Sequence, residues 1–218
     1  MESFELPRLA APLERELTIK RSRFITWIAR AESEEDAREV IAAAKHAYPD
    51  ARHHCTAFII HAEGAMPIER SSDDGEPAGT AGMPMLDVLR GSGLEHVVAV
   101  VARYFGGIKL GTGGLVHAYG ESVSQALAEV PRAKRELLEV AEVDLAYAEG
   151  PRIEAALRRS STRIVDTSYG ESVTYTLGYE PGTLDAVNAI VAEYTAGAAV
   201  ASRTSAAWFE DGERVGGL

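Results

Sequence analysis

The sequence predicts an α+β protein of two domains, and three observations carry that prediction. Residues 97–102 form an unbroken apolar run, mostly valine, which is the composition of a strand covered on both faces. A charged stretch opening on a helix breaker, PRAKREL at 131–137, marks a boundary between residues 1–134 and 135–218. Beyond it the elements follow as strand, helix, strand, strand, helix, strand, the split ferredoxin-like arrangement. A length of 218 residues suits two modest domains.

The elements of the first domain are read in order. After a polar N-terminal arm, RSRFITWIARA reads as a strand ending near Ala31. Ser33 is placed to cap a helix, with Glu34, Glu35 and Asp36 in the first turn where negative charge suits the helix dipole. Ala37, Val40, Ile41, Ala44 and Tyr48 continue at helical spacing until Pro49. Residues 53–61 (HHCTAFIIH) form a second strand. The stretch 63–84 is rich in Gly, Pro, Ser and Asp and reads as a long ordered loop or lid, closed by a short helix at 85–90. The valine strand then runs into a glycine-rich turn, Gly106 to Gly114. A helix follows with Val116, Tyr119, Val123, Ala126 and Leu127 on its inner face, ending before Pro131.

In the second domain, strand 138–147 precedes a helix at 151–159 with Ile153, Ala156 and Leu157 inward. Strands 162–167 and 172–179 form a hairpin around Tyr169-Gly170. Leu184, Val187, Ile190, Val191 and Tyr194 mark a second helix, and 199–209 a last strand.

Composition excludes several classes. No apolar run approaches the roughly 20 residues needed to cross a bilayer. One cysteine, Cys55, rules out an intrachain disulfide and fits a reducing compartment, so the expected location is the cytoplasm. The net charge of −11 is unevenly shared. Residues 1–135 hold 16 Lys/Arg against 19 Asp/Glu, whereas residues 136–218 hold 6 against 14. The acidic second half repels polyphosphates, so any RNA contact must come from the first domain.

Three segments could carry chemistry. The first is RYFGGIKLGTGGLVHAYG, 103–120. It is not a Walker A motif, because Thr112 and Gly113 stand where Lys and Ser/Thr are required, nor G-x-G-x-x-G, because Val116 replaces the last glycine. Two readings stay open. Glycines can let the backbone approach a ligand while free amides near Gly113 and Gly114 bind an anion, helped by Lys109, Arg103 and His117. Alternatively they serve only positive φ angles and close packing. The anion- or RNA-binding candidates are Arg103, Gly106, Gly107, Lys109, Gly111, Thr112, Gly113, Gly114 and His117.

The second segment is ERSSDDGEPAGTAGMP, 69–84. Asp73, Asp74 and Glu76 supply enough oxygens to suggest Mg²⁺, but their order does not match a calcium loop, and a plain turn explains them as well. As a recognition loop it offers Arg70, Ser72, Asp73, Asp74, Gly75 and Glu76. The third is His53-His54-Cys55, which lacks the partners of a zinc site. Cys55 is expected to be a small buried side chain rather than a nucleophile. No metal and no cofactor are expected.

The blocks RHHCTAF, RSSDDGEPAGTAGMPML and VVAVVARYFGGIKLGTGGLVHAYG, within residues 52–120, resemble the signature blocks of the YigZ/IMPACT family. The resemblance implies a first domain similar to domain IV of elongation factor G, a ribosomal-protein-like βαβ sandwich, and a ferredoxin-like second domain of bacterial YigZ type. Eukaryotic members regulate translation through a protein partner of an amino-acid-sensing kinase, a partnership tied to an extra domain and not carried over. Met83 and His117 stand where basic residues are common in the family pattern, which reduces fixed positive charge beside the glycine turn.

The resemblance and the flanking cations together imply a non-catalytic, translation-associated binding protein that meets RNA or a ribosome-associated factor through its first domain. The alternative is a metal-assisted hydrolase or phosphate-handling enzyme that uses Asp73, Asp74 and Glu76. That alternative requires the acidic loop and the glycine turn to converge.

Overall fold

A computed structural model describes residues 2–217. The chain divides into two compact units, Phe4–Ala133 and, in the main, the residues from Lys134 onward. Among the described residues there are two antiparallel sheets and five helices.

The first unit carries β1 (Ser3–Pro7), β2 (Leu13–Ile19), β3 (Ser22–Arg30), α1 (Glu34–Ala47) and β4 (His53–Ile60). It continues with β5 (Ile68–Ser72), α2 (Gly82–Ser92), β6 (Val97–Tyr104) and α3 (Gly111–Leu127). Its five-stranded sheet has the order β2-β3-β6-β4-β5, every pairing antiparallel. Because β3 and β4 both oppose β6, they run parallel to each other, and α1 is the crossover between them.

The central position of β6 explains its unbroken valines. Val97, Ala99 and Val101 pack with Phe24, Cys55, Leu89 and Tyr119 in the layer of α2 and α3. Val98 and Val100 point the other way, into Phe58, Ile60 and Ala37 beneath α1. With helices on both faces, neither side of the strand can be polar. The start of α1 follows the local rule: Ser33 Oγ accepts the Asp36 amide at 3.1 Å, with three acids in the first turn.

Several expectations are corrected. The polar arm contains two strands, and in β2 half-buried Leu13, Arg15, Leu17 and Ile19 alternate with exposed Glu14, Glu16 and Thr18. Charged outer positions mask that period of two. The long loop contains β5, paired with β4 from Ile60–Ile68 to Thr56–Ser72. Helix α3 begins inside the glycine turn, and Val116 lies outward, 41% exposed.

The second unit carries β7 (Arg132–Leu145), α4 (Gly150–Leu157), β8 (Arg163–Tyr169), β9 (Val173–Tyr179), α5 (Leu184–Thr195), β10 (Ser202–Glu210) and β11 (Glu213–Gly217). Its strands follow the order β11-β10-β7-β9-β8. Leaving aside β11, which adds an edge beyond the expected elements, that is fourth, first, third, second: the split arrangement. Ile153 and Leu157 of α4 and Val187 and Val191 of α5 cover Val143, Leu145, Tyr175 and Leu177. Most of PRAKREL is the start of β7.

Candidate functional site

The glycine turn leaves β6 at Tyr104 and enters α3 at Gly111. Its glycines have different causes. A Cβ on Gly106 would lie 2.0 Å from the carbonyl carbon of Arg21 and 2.4 Å from the Ser22 nitrogen, so the backbones of two turns touch there. The Gly106 amide also donates to Ser22 Oγ at 3.2 Å. Gly107 and Gly111 have φ of 85° and 74°, the left-handed region that favours glycine. Gly113 has neither constraint, since a Cβ there would meet nothing within 4 Å.

The acidic loop resolves into separate roles. Asp73 points inward: Oδ1 accepts the amides of Ala81 (2.9 Å) and Gly82 (2.8 Å), and Oδ2 that of Gly79 (2.8 Å). Burial raises its pKa, but the amides of Gly79, Gly82 and Ala81 outweigh burial, and the carboxyl titrates below its usual range. Its oxygens thus occupy the start of α2. Asp74 Oδ2 accepts the His54 amide at 2.7 Å, and its Oδ1 lies 3.6 Å from Lys45 Nζ. Glu76 turns the other way and is buried.

Around Glu76 a polar cluster forms. Its Oε1 accepts from Arg103 Nη1 and from the Tyr119 hydroxyl at 2.9 Å. Its other oxygen has no hydrogen-bond partner among the described residues. Tyr119 reaches this point from the inner face of α3, edge-on to Phe24 at 5.2 Å. Burial, with Cys55 and Glu76 nearby, pushes the Tyr119 hydroxyl pKa far up, so it stays a donor. His53 Nε2 lies 4.0 Å from Glu76 Oε1. Its Nδ1 is 2.8 Å from the Asp74 carbonyl, which can only accept, so Nδ1 carries a hydrogen.

Glu76, His53 and Arg103 border a cleft of about 420 Å³. Lys109, Leu110, Gly111 and Thr112, where α3 begins, line it too, as do apolar Phe105, Pro77 and Leu115 and the cation Arg52. Arg52 and Lys109 are exposed, and neither side chain makes an ion pair among the described residues. Helix α3 has no side-chain cap and no acid in its first turn. Its lining thus combines two exposed cations, an uncapped helix start, apolar side chains and the Glu76 carboxylate.

The structure therefore joins Gly75 and Glu76 of the acidic loop to Arg103, Lys109, Gly111 and Thr112 of the glycine turn. It separates other candidates. His117 lies along a different groove with Pro84, Asp87 and Glu121. Arg70 is exposed on β5, 3.9 Å from Glu34, and Ser72 accepts the Asp74 amide. Gly106, Gly107, Gly113 and Gly114 do not line the cleft. Arg103, expected as a surface cation, is buried and paired with Glu76.

Arg52 and the role of His53 were missed by sequence reasoning, although RHHC precedes a strand whose first residues must emerge near the end of β6. The three carboxylates do not converge. Among the described residues no group of three or more His, Cys, Asp or Glu is placed to hold a metal ion. Cys55 is fully buried, its thiol donates to the Asp73 carbonyl at 3.0 Å, and burial pushes its pKa up to about 12. That rules against a thiolate nucleophile. No helix of the described residues is long and apolar enough to cross a membrane.

Comparison with known proteins extends the likeness over most of the chain. Residues 20–127 match the Impact N-terminal domain, and 143–198 match a domain of unknown function, DUF1949. The chain is 40% identical over 197 residues to the IMPACT family member YigZ of Escherichia coli, covering 90% of this chain and 96% of that one. It is 39% identical over 184 residues to the IMPACT family member YvyE of Bacillus subtilis, covering 84% of each. A crystal structure of a hypothetical protein shares 39% identity at a TM-score of 0.60, covering 92% of this chain and 97% of its own. The chain belongs to the YigZ/IMPACT family.

Proposed function

We propose that this chain is a non-catalytic, translation-associated binding protein acting in the cytoplasm, and that its first domain contacts RNA or a ribosome-associated factor through the Glu76–Gly111 cleft. The observation that carries this reading is the pair of unpartnered cations, Arg52 and Lys109, bordering a cleft beside an uncapped helix start. On a chain of net charge −11, unneutralised positive charge beside free amides is what an anionic partner would use. Family membership supports the link to translation. The separated carboxylates favour binding over metal-assisted hydrolysis.

The test is salt-dependent RNA binding. Each phosphate contact to single-stranded RNA contributes about 0.7 to the slope of log K against log salt. The double variant Arg52→Ala/Lys109→Ala is expected to weaken binding and flatten that slope by about 1.4. Arg103 is a poor probe, because its removal strands Glu76 as a buried charge. Wild-type protein that binds no RNA at any ionic strength would overturn the RNA reading.

A further inference from the structure

The cleft has more features than a phosphate needs. Its lining includes Arg52, Lys109 and the uncapped start of α3, which suit one phosphate group. It also has an aromatic ring in its lining: Phe105, 47% exposed. The Arg103 guanidinium lies over the Phe24 ring at 5.5 Å and over the Phe105 ring at 5.9 Å, while its Nη1 donates to Glu76. The free oxygen of Glu76, in the same lining, is an acceptor.

An occupant must therefore combine an anion, a flat apolar face and hydrogen-bond donors. Resting on the RNA-binding reading above, we propose that the cleft receives one unstacked nucleotide of a single-stranded RNA, its base against Phe105 and its phosphate toward Arg52 and Lys109. A base offers a π-face for the ring and N–H groups for the Glu76 carboxylate. Duplex RNA keeps its bases stacked and cannot present that face. An acidic peptide would satisfy the cations, but its carboxylates would meet the carboxylate of Glu76 unfavourably. The volume falls within the range of small-ligand clefts.

The experiment is fluorescence anisotropy with a labelled single-stranded RNA of about 10 nucleotides, its duplex, and an acidic peptide, using the full chain. The single strand is expected to bind at least about tenfold more tightly than the duplex or the peptide. Phe105→Ala is expected to lose about tenfold in single-strand affinity with an unchanged salt slope, and Phe105→Trp to retain it. Phe105 is exposed, so neither change threatens folding, and circular dichroism checks this. Equal binding of duplex, or no loss in Phe105→Ala while salt-dependent RNA binding persists, overturns this inference and leaves the RNA reading standing. Preference for the peptide overturns both. Absence of any RNA binding removes the RNA reading, and the inference with it.

Discussion

Helices α2 and α3 of the first unit start on either side of one loop and treat their unsatisfied amides in opposite ways. At the start of α2, Asp73 fills the place of an anion with its own carboxylate, taking three amides. At the start of α3 there is no side-chain cap, no acid in the first turn, and Lys109 two residues before Gly111. Both ends carry the same partial positive charge. The first is closed by the fold, and the second opens on the cleft. Positive charge at a helix end therefore marks a binding place only where the chain has not already supplied the anion.

Perturbing each side sharpens the contrast. The largest effect is expected at Gly106→Ala, where the new methyl would meet the Arg21–Ser22 backbone on the route into α3. Overpacking against backbone is expected to cost about 3 kcal/mol, read as a lowered denaturant midpoint. Gly113→Ala, in the same turn but in open space, is expected to be neutral or slightly stabilising, by about 0.5 kcal/mol. If the two variants were equally destabilised, the division of the turn into packing and open glycines would be wrong.

Next comes the closed end. Asp73→Ala leaves three amides without their acceptor and is expected to cost about 2–3 kcal/mol in the same measurement, with RNA affinity of the folded protein unchanged. The sign with pH follows from the depressed pKa. Asp73 contributes stability fully above its unfolded value, near 3.8, and that contribution is lost as pH falls through the lower folded value. Unfolding measured from pH about 5 downward should show a shallower loss in Asp73→Ala than in wild type.

Smaller again is Tyr119→Phe. It removes one donor from Glu76 while Arg103 remains, and is expected to cost about 1.5 kcal/mol. Its readout is the denaturant midpoint. A loss no larger than that of an exposed substitution would show that Arg103 alone satisfies the carboxylate.

How much of this was readable in the residues depends on range. Ser33, the valine run and the alternation of elements after residue 138 are local signals, and each gave the right element. Strand β2 was hidden because its outer positions are glutamates and threonine, and β5 because Ser, Arg and Glu on an edge strand look like loop. In the site, the identity of the glycine turn was visible but the division of labour within it was not. Gly106 is needed for the approach of a turn more than 80 residues away in sequence. Likewise Asp73 and Glu76 look equivalent in the string, yet one loop conformation sends them to opposite sides. His117 follows the same limit: it lies close in sequence to Gly111 but in another groove, on a helix whose starting residue sequence spacing did not fix.

The contrast between the two helix starts is tested most directly by backbone amide chemical shifts during titration with a short single-stranded RNA. Gly111 and Thr112 are expected to shift in a saturable way, together with Lys109, while Gly79, Ala81 and Gly82 stay in place behind Asp73. Saturable shifts at the α2 amides instead, or shifts that bypass the start of α3 altogether, would contradict it.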